Sequence, residues 1–105
     1  MLIRRVIVVV KPAAESDLDE ILSRLELEGG AVRSQLNTAF FDRFDKLLTT
    51  GSALRFRPEF GRDVRVAKFK SWLIFFRLTE KSVVILRVLH GHRHPKANQA
   101  KVSKS

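Results

Sequence analysis

Three segments late in the chain, Val64–Phe69, Trp72–Leu78 and Ser82–Leu89, are rich in branched and aromatic residues. They are separated only by Lys70-Ser71 and Thr79-Glu80-Lys81. Connections that short make hairpins, whereas a parallel crossover needs roughly a dozen residues or more. The spacing therefore predicts a three-stranded antiparallel meander, and everything upstream must pack against it. Two-residue turns would put Lys68, Lys70, Arg77 and His90 on one face of the meander. Arg65 and Arg87 would then share the opposite face with Trp72, Ile74 and Phe76. A slip of one residue exchanges the faces of the strand that slips.

Upstream, Leu2–Val10 is rich in Val and Ile and reads as a strand, apolar on both alternating faces apart from Arg4 and Arg5. Pro12 suits a first helical turn, where its missing N–H costs nothing. Glu15, Asp17, Asp19 and Glu20 crowd the start of that helix, where the dipole favours anions. Leu18, Ile21, Leu22 and Leu25 then recur at helical spacing. A capping box of Ser16 with Asp19 would start the helix one turn later. Gly29-Gly30 ends it. A second helix is expected from about Ala31 to Leu48, burying Val32, Leu36, Phe40, Phe44 and Leu47. Its phenylalanine stripe reads as core. Thr49–Gly61, with Gly51, Pro58 and Gly61, reads as a loop. The predicted class is α+β in the order β-α-α-β-β-β, with the N-terminal strand and a helical hairpin packed on one face of an antiparallel sheet. The other face is left at least partly open. Residues 1–95 form one domain, and 96–105 a basic, flexible tail.

Charge is segregated along the chain. Residues 1–54 hold 7 Lys/Arg against 8 Asp/Glu, and residues 55–105 hold 13 against 3, so the net +9 lies in one half. A one-sided basic surface is the electrostatic footprint of a polyanion or an acidic protein segment. The candidates for that contact are Arg65, Lys68, Lys70, Arg77, Arg87 and Arg93. There is no cysteine, which excludes disulfides, thiol catalysis and Cys-based zinc sites. No stretch approaches the ~18 apolar residues of a membrane span. The N-terminal apolar run is short and has no small-residue cleavage site, so it is not a signal peptide, and a cytoplasmic protein is expected. The P-loop and dinucleotide glycine patterns are absent, and no cofactor is expected. His90, His92 and His94 alternate, but Arg93 and Lys96 repel a cation and no acid is near in sequence, so no metal is expected. Proton transfer by His90 or His92, with Arg65 and Arg77 stabilising a developing phosphorane, is the chemistry available to a nuclease. There is no tyrosine.

Three blocks of the sequence resemble a known superfamily. Pro12-Ala13-Ala14, followed by Asp17-Leu18 and Ile21, is similar to the start of the first helix in RelE/ParE toxins. Val64-Arg65 with Trp72-Leu73-Ile74-Phe75-Phe76-Arg77 resembles their "LR … YLIFYR" block. Ile85-Leu86-Arg87-Val88-Leu89-His90-Gly91-His92-Arg93 resembles the terminal "I-x-R-V-L-H-G-x-R" block. The resemblance implies the toxin of a bacterial type II toxin–antitoxin pair, which inhibits growth, stabilises plasmids and is neutralised by a cognate antitoxin. The "R-V-L-H-G" ending and the "I-F-F-R" strand look more like the ParE side, whose members poison DNA gyrase and are not nucleases. The alternative is a RelE-like, ribosome-dependent mRNA endonuclease, with Arg65, Arg77, His90 and His92 as its catalytic set. Phe76 stands where that family usually has tyrosine, which weakens the nuclease reading. A third, lesser reading is an inactive toxin-like protein that only binds an antitoxin.

Overall fold

The structure, a computed structural model, describes residues 7–25 and 29–91. The elements run β1 (Ile7–Val10), α1 (Pro12–Leu25), α2 (Gly30–Thr50), β2 (Arg65–Phe69), β3 (Trp72–Leu78) and β4 (Ser82–His90), with two single 3₁₀ turns between α2 and β2. The α+β class and the element order are as the sequence predicts. The sheet has the order β1-β4-β3-β2. β2–β3 and β3–β4 are antiparallel hairpins, but β1 enters the sheet as an edge strand parallel to β4. The sheet is therefore mixed. A helical hairpin separates β1 from the meander, which makes a parallel return possible where a tight turn could not.

Ala14, Leu18 and Leu22 of α1 recur every four residues and are buried, the spacing of one helical face. Leu36, Phe40, Phe44 and Leu47, at spacings of four, four and three, form the buried face of α2. These two stripes cover Ala67, Ile74, Phe76, Val83, Ile85 and Val88 of the sheet to make the main core. Val32, expected on the buried stripe, is 40% exposed. The first buried position of α2 is Leu36, so the opening turns of the helix lie outside the packed layer.

The face away from the helices is not bare. The α2–β2 connection folds back onto it, and Phe60, Val64, Phe75 and Leu86 form a second, smaller core there. Phe60 meets Phe75 edge-on at 4.9 Å between ring centroids. The loop thus does part of the work of a missing layer.

Gly51 caps α2 with ordinary right-handed helical torsions, φ −66° and ψ −28°. Its smallness serves packing, because a Cβ there would lie 2.8 Å from the Phe76 ring. Gly51→Ala is expected to destabilise by about 1–3 kcal/mol through overpacking, although its backbone would accept alanine. A urea unfolding midpoint at or above that of wild type would contradict this account.

Candidate functional site

The register decides which cations share a face. Paired residues on neighbouring strands point to the same side. Arg65 pairs with Phe76, Ala67 with Ile74 and Phe69 with Trp72, so Arg65 shares the helix-covered face with those residues, as expected; Arg87, expected beside it, pairs instead with Phe75, whose side chain belongs to the core on the other face. Lys68, opposite Leu73, and Arg77, opposite Val84, lie on the other face.

His90 does not join them. A bulge falls between Phe75 and Phe76: Phe76 pairs with Ile85, Phe75 pairs with Arg87, and Leu86 is the extra residue. One inserted residue reverses the alternation beyond it. His90 therefore pairs with Trp72 on the helix side, its ring 6.3 Å from the indole and edge-on. Lys70 also departs from the expected group. It occupies the hairpin turn at φ 54°, with its ammonium 5.6 Å over the Phe69 ring. His92 and Arg93 fall outside the described residues.

Each of the three sheet arginines is engaged by the protein itself. Arg65 Nε donates to the Leu54 carbonyl at 2.8 Å, and its guanidinium lies 4.0 Å over the Phe56 ring. Arg77 Nε donates to the Arg62 carbonyl at 2.8 Å, holding the loop that carries Phe60. Arg87 forms a two-pronged ion pair with Asp17 of α1, Nε to Oδ2 at 2.8 Å and Nη2 to Oδ1 at 3.0 Å. The Val88 N–H donates to the same carboxylate at 2.9 Å. The geometry follows from where β1 ends: its last residue is Val10, opposite Ile85, and beyond it the outer edge of β4 needs other partners. Lys11 N–H satisfies the Ile85 carbonyl at 3.0 Å, and Asp17 satisfies Val88. The hydrogen bonds that Arg87 donates to Asp17 hold its guanidinium above the ordinary range, against the opposing effect of partial burial.

Beside that pair lies a cleft of about 510 Å³, lined among others by Glu20, Arg24, Trp72, Arg87 and His90. Its charges are mixed. Among the described residues no three His, Asp or Glu side chains gather as a metal site would need.

Three features of the site carry no local signal in the sequence. Asp17 reads as a helix-start acid, and nothing local to it signals a partner 70 residues away. Leu86 looks like any apolar strand residue. Phe56 and Phe60 were hidden in a loop marked by Pro and Gly.

The family model for the ParE toxin of the type II toxin–antitoxin system parDE matches residues 8–95. The chain belongs to the ParE toxin family. A solved structure described as the chromosomal ParDE TA system from P. aeruginosa is similar in fold, with a TM-score of 0.64 and 21% identity, covering 79% of this chain and 92% of that one. No curated protein sequence matches. The ParE match spans α1, α2 and the whole meander, and it includes both the Arg87–Asp17 pair and the bulged strand β4. Among the described residues of this ParE-family toxin, no helix is long and apolar enough to cross a membrane.

The segment leading to Phe60 supplies one titration to check. Arg57 Nε donates to Glu59 Oε2 at 2.8 Å, and this bond holds the Glu59 carboxyl below its ordinary value of 4.5. Arg57→Ala is expected to return that carboxyl toward the ordinary value, read by NMR titration. A titration unchanged by the substitution would assign the lowering to another cause. The sign follows from linkage: a lowered folded pKa gives a contribution present above the unfolded value and lost as pH falls through the folded one.

Proposed function

We propose that this ParE-family toxin acts in the cytoplasm as a gyrase poison, binding its target without cutting RNA, and that a cognate antitoxin silences it. The observation that carries this reading is the dispersal, among the described residues, of Arg65, Arg77 and His90, which a nuclease would need together. Arg77 lies on the opposite face of the sheet from His90. Arg65 and His90 share a face, but their β3 partners, Phe76 and Trp72, are four residues apart, which is about 13 Å along a strand. General acid–base work on one phosphate requires groups within about 3 Å of the reacting atoms. The missing tyrosine points the same way.

The antitoxin belongs on the face away from the helices. There Ile7 is 51% and Val9 39% exposed, beside partly buried Leu73, Val84 and Leu89, and Lys68 and Arg77 border this strip. Exposed apolar surface rimmed by cations suits an amphipathic, acidic segment. A supercoiling assay with purified toxin tests the target: inhibition is expected, and unchanged gyrase at large toxin excess rejects it. Ribosome-dependent cuts in a toe-printing experiment would favour the nuclease instead. Co-purification tests the antitoxin face, with Val9→Lys plus Lys68→Glu expected to weaken binding by at least about tenfold.

A further inference from the structure

Phe56 is 50% exposed and is nevertheless held from several sides. Arg65 donates to the Leu54 carbonyl two residues before it and lies 4.0 Å over one face of its ring. The Phe56 backbone bridges that of Arg65, and the next N–H, from Arg57, donates to the Val64 carbonyl at 2.7 Å. The Arg57 side chain ties to Glu59 and lies 5.0 Å over the Phe60 ring, and Phe60 is buried. Both ends of the segment are fixed, and the aromatic ring between them faces water. Fixing a ring in advance lowers the entropy lost when it is later buried by a partner.

We infer that Phe56 is a pre-organised anchor for the toxin's macromolecular target, a protein surface offering an apolar socket rimmed by carboxylates, and that Arg65 is its positioning residue. Rigid aromatics inserted in pockets carry a large share of binding energy at protein interfaces. Arg65 occupies one face of the ring, so Phe56 cannot be inserted between two bases as an intercalating wedge is; its open face and edge suit a socket. Leu54–Arg65 contains Arg55, Arg57, Arg62 and Arg65 against Glu59 and Asp63; Arg57 pairs with Glu59 and Arg62 with Asp63, and the two cations in excess are what an acidic rim complements. Phe56 and Arg65 are bridge partners on the helix side of β2. The strip proposed for the antitoxin includes Ile7 and Val9 of β1, at the opposite edge of the sheet, and lies on the other face. The two partners therefore have separate surfaces. This inference rests on the toxin reading but not on the identity of the target.

The test is induction of the full chain without antitoxin, paired with gyrase inhibition and antitoxin co-purification. Phe56→Ala should abolish growth arrest and raise the half-inhibitory concentration by at least about 30-fold, with antitoxin binding and thermal midpoint unchanged. Phe56→Leu should fall between. Arg65→Gln should weaken arrest, and Arg65→Lys, which keeps a cation over the ring, should restore part of it. Arrest by Phe56→Ala equal to wild type overturns the inference. So does loss of antitoxin binding with arrest retained, or loss of oligonucleotide binding by Phe56→Ala, either of which reassigns the ring. If wild type arrests growth without touching gyrase and Phe56→Ala does not arrest, the gyrase reading fails and this one stands. If wild type does not arrest growth, both fail.

Discussion

Phe60→Ala is expected to remove about 3–5 kcal/mol of stability, a large share of the roughly 5–15 kcal/mol that holds a domain together. Phe60 is 1% exposed and packs edge-on against Phe75 at 4.9 Å. It is the residue by which the loop closes over the face opposite the helices. The loop cannot collapse into the vacated space, because Arg77 pins Arg62 behind it and Arg57 and Arg65 pin the chain ahead of it. Truncation would leave Phe75 and Leu86 beside a cavity open to water. Urea unfolding should show a large fall in midpoint. Phe56→Ala, four residues earlier, should stay within about 0.5 kcal/mol of wild type, as exposed substitutions do. A cost for Phe60→Ala below about 1 kcal/mol would mean that the loop is no lid and that the second core stands on the sheet alone.

The second large effect concerns Arg87. Its partner Asp17 has a side chain 14% exposed, and Arg87 itself is 26% exposed. Removing one member of a buried pair costs about 3–5 kcal/mol because the other charge is stranded. The remaining exposure reduces this to roughly 2–3 kcal/mol. Arg87→Ala should therefore lower the thermal midpoint by roughly 10–20 °C. Asp17→Asn should cost less, since an amide oxygen can still accept from the Val88 N–H. The double alanine variant should fall short of the sum of the singles, because the two residues share one interaction. Additive losses would show that the pair is not coupled. The folded pKa of Arg87 is raised above the ordinary guanidinium value, so its contribution is fully present below that ordinary value and is lost only as pH rises through the folded one, far above neutrality. Between about pH 6 and 9 this arginine should add no slope to stability.

The element order was legible because hydrophobic spacing reports local geometry. The Leu18–Leu22 stripe and the Lys70-Ser71 connection each encode their structure within a few residues. The location of β1 was not, because no local pattern says which strand a distant edge will join. The face of His90 was misassigned for a related reason. A bulge depends on which residue the strand leaves unpaired, and Leu86 in an apolar run looks the same bulged or regular. The sequence groups the cations in the second half of the chain, but the described arginines there serve the fold as well. Arg65 positions a loop and Arg87 clamps a helix, so charge counting along the sequence could not separate cations offered to a partner from cations already engaged.

The strand order also bears on how such a chain can be made. β4 is the last of the described strands in chain order, yet it lies inside the sheet, between β1 and β3. A nascent chain that stops short of Ser82 has a β1 with no neighbour and only the β2–β3 hairpin, which alone is marginal in water. Contacts between β1 and β4 close nearly the whole length of the domain, a separation that slows folding. The cell would thus hold no partly synthesised fragment with this four-stranded sheet, and harm from the toxin would begin only once β4 had found its place between β1 and β3.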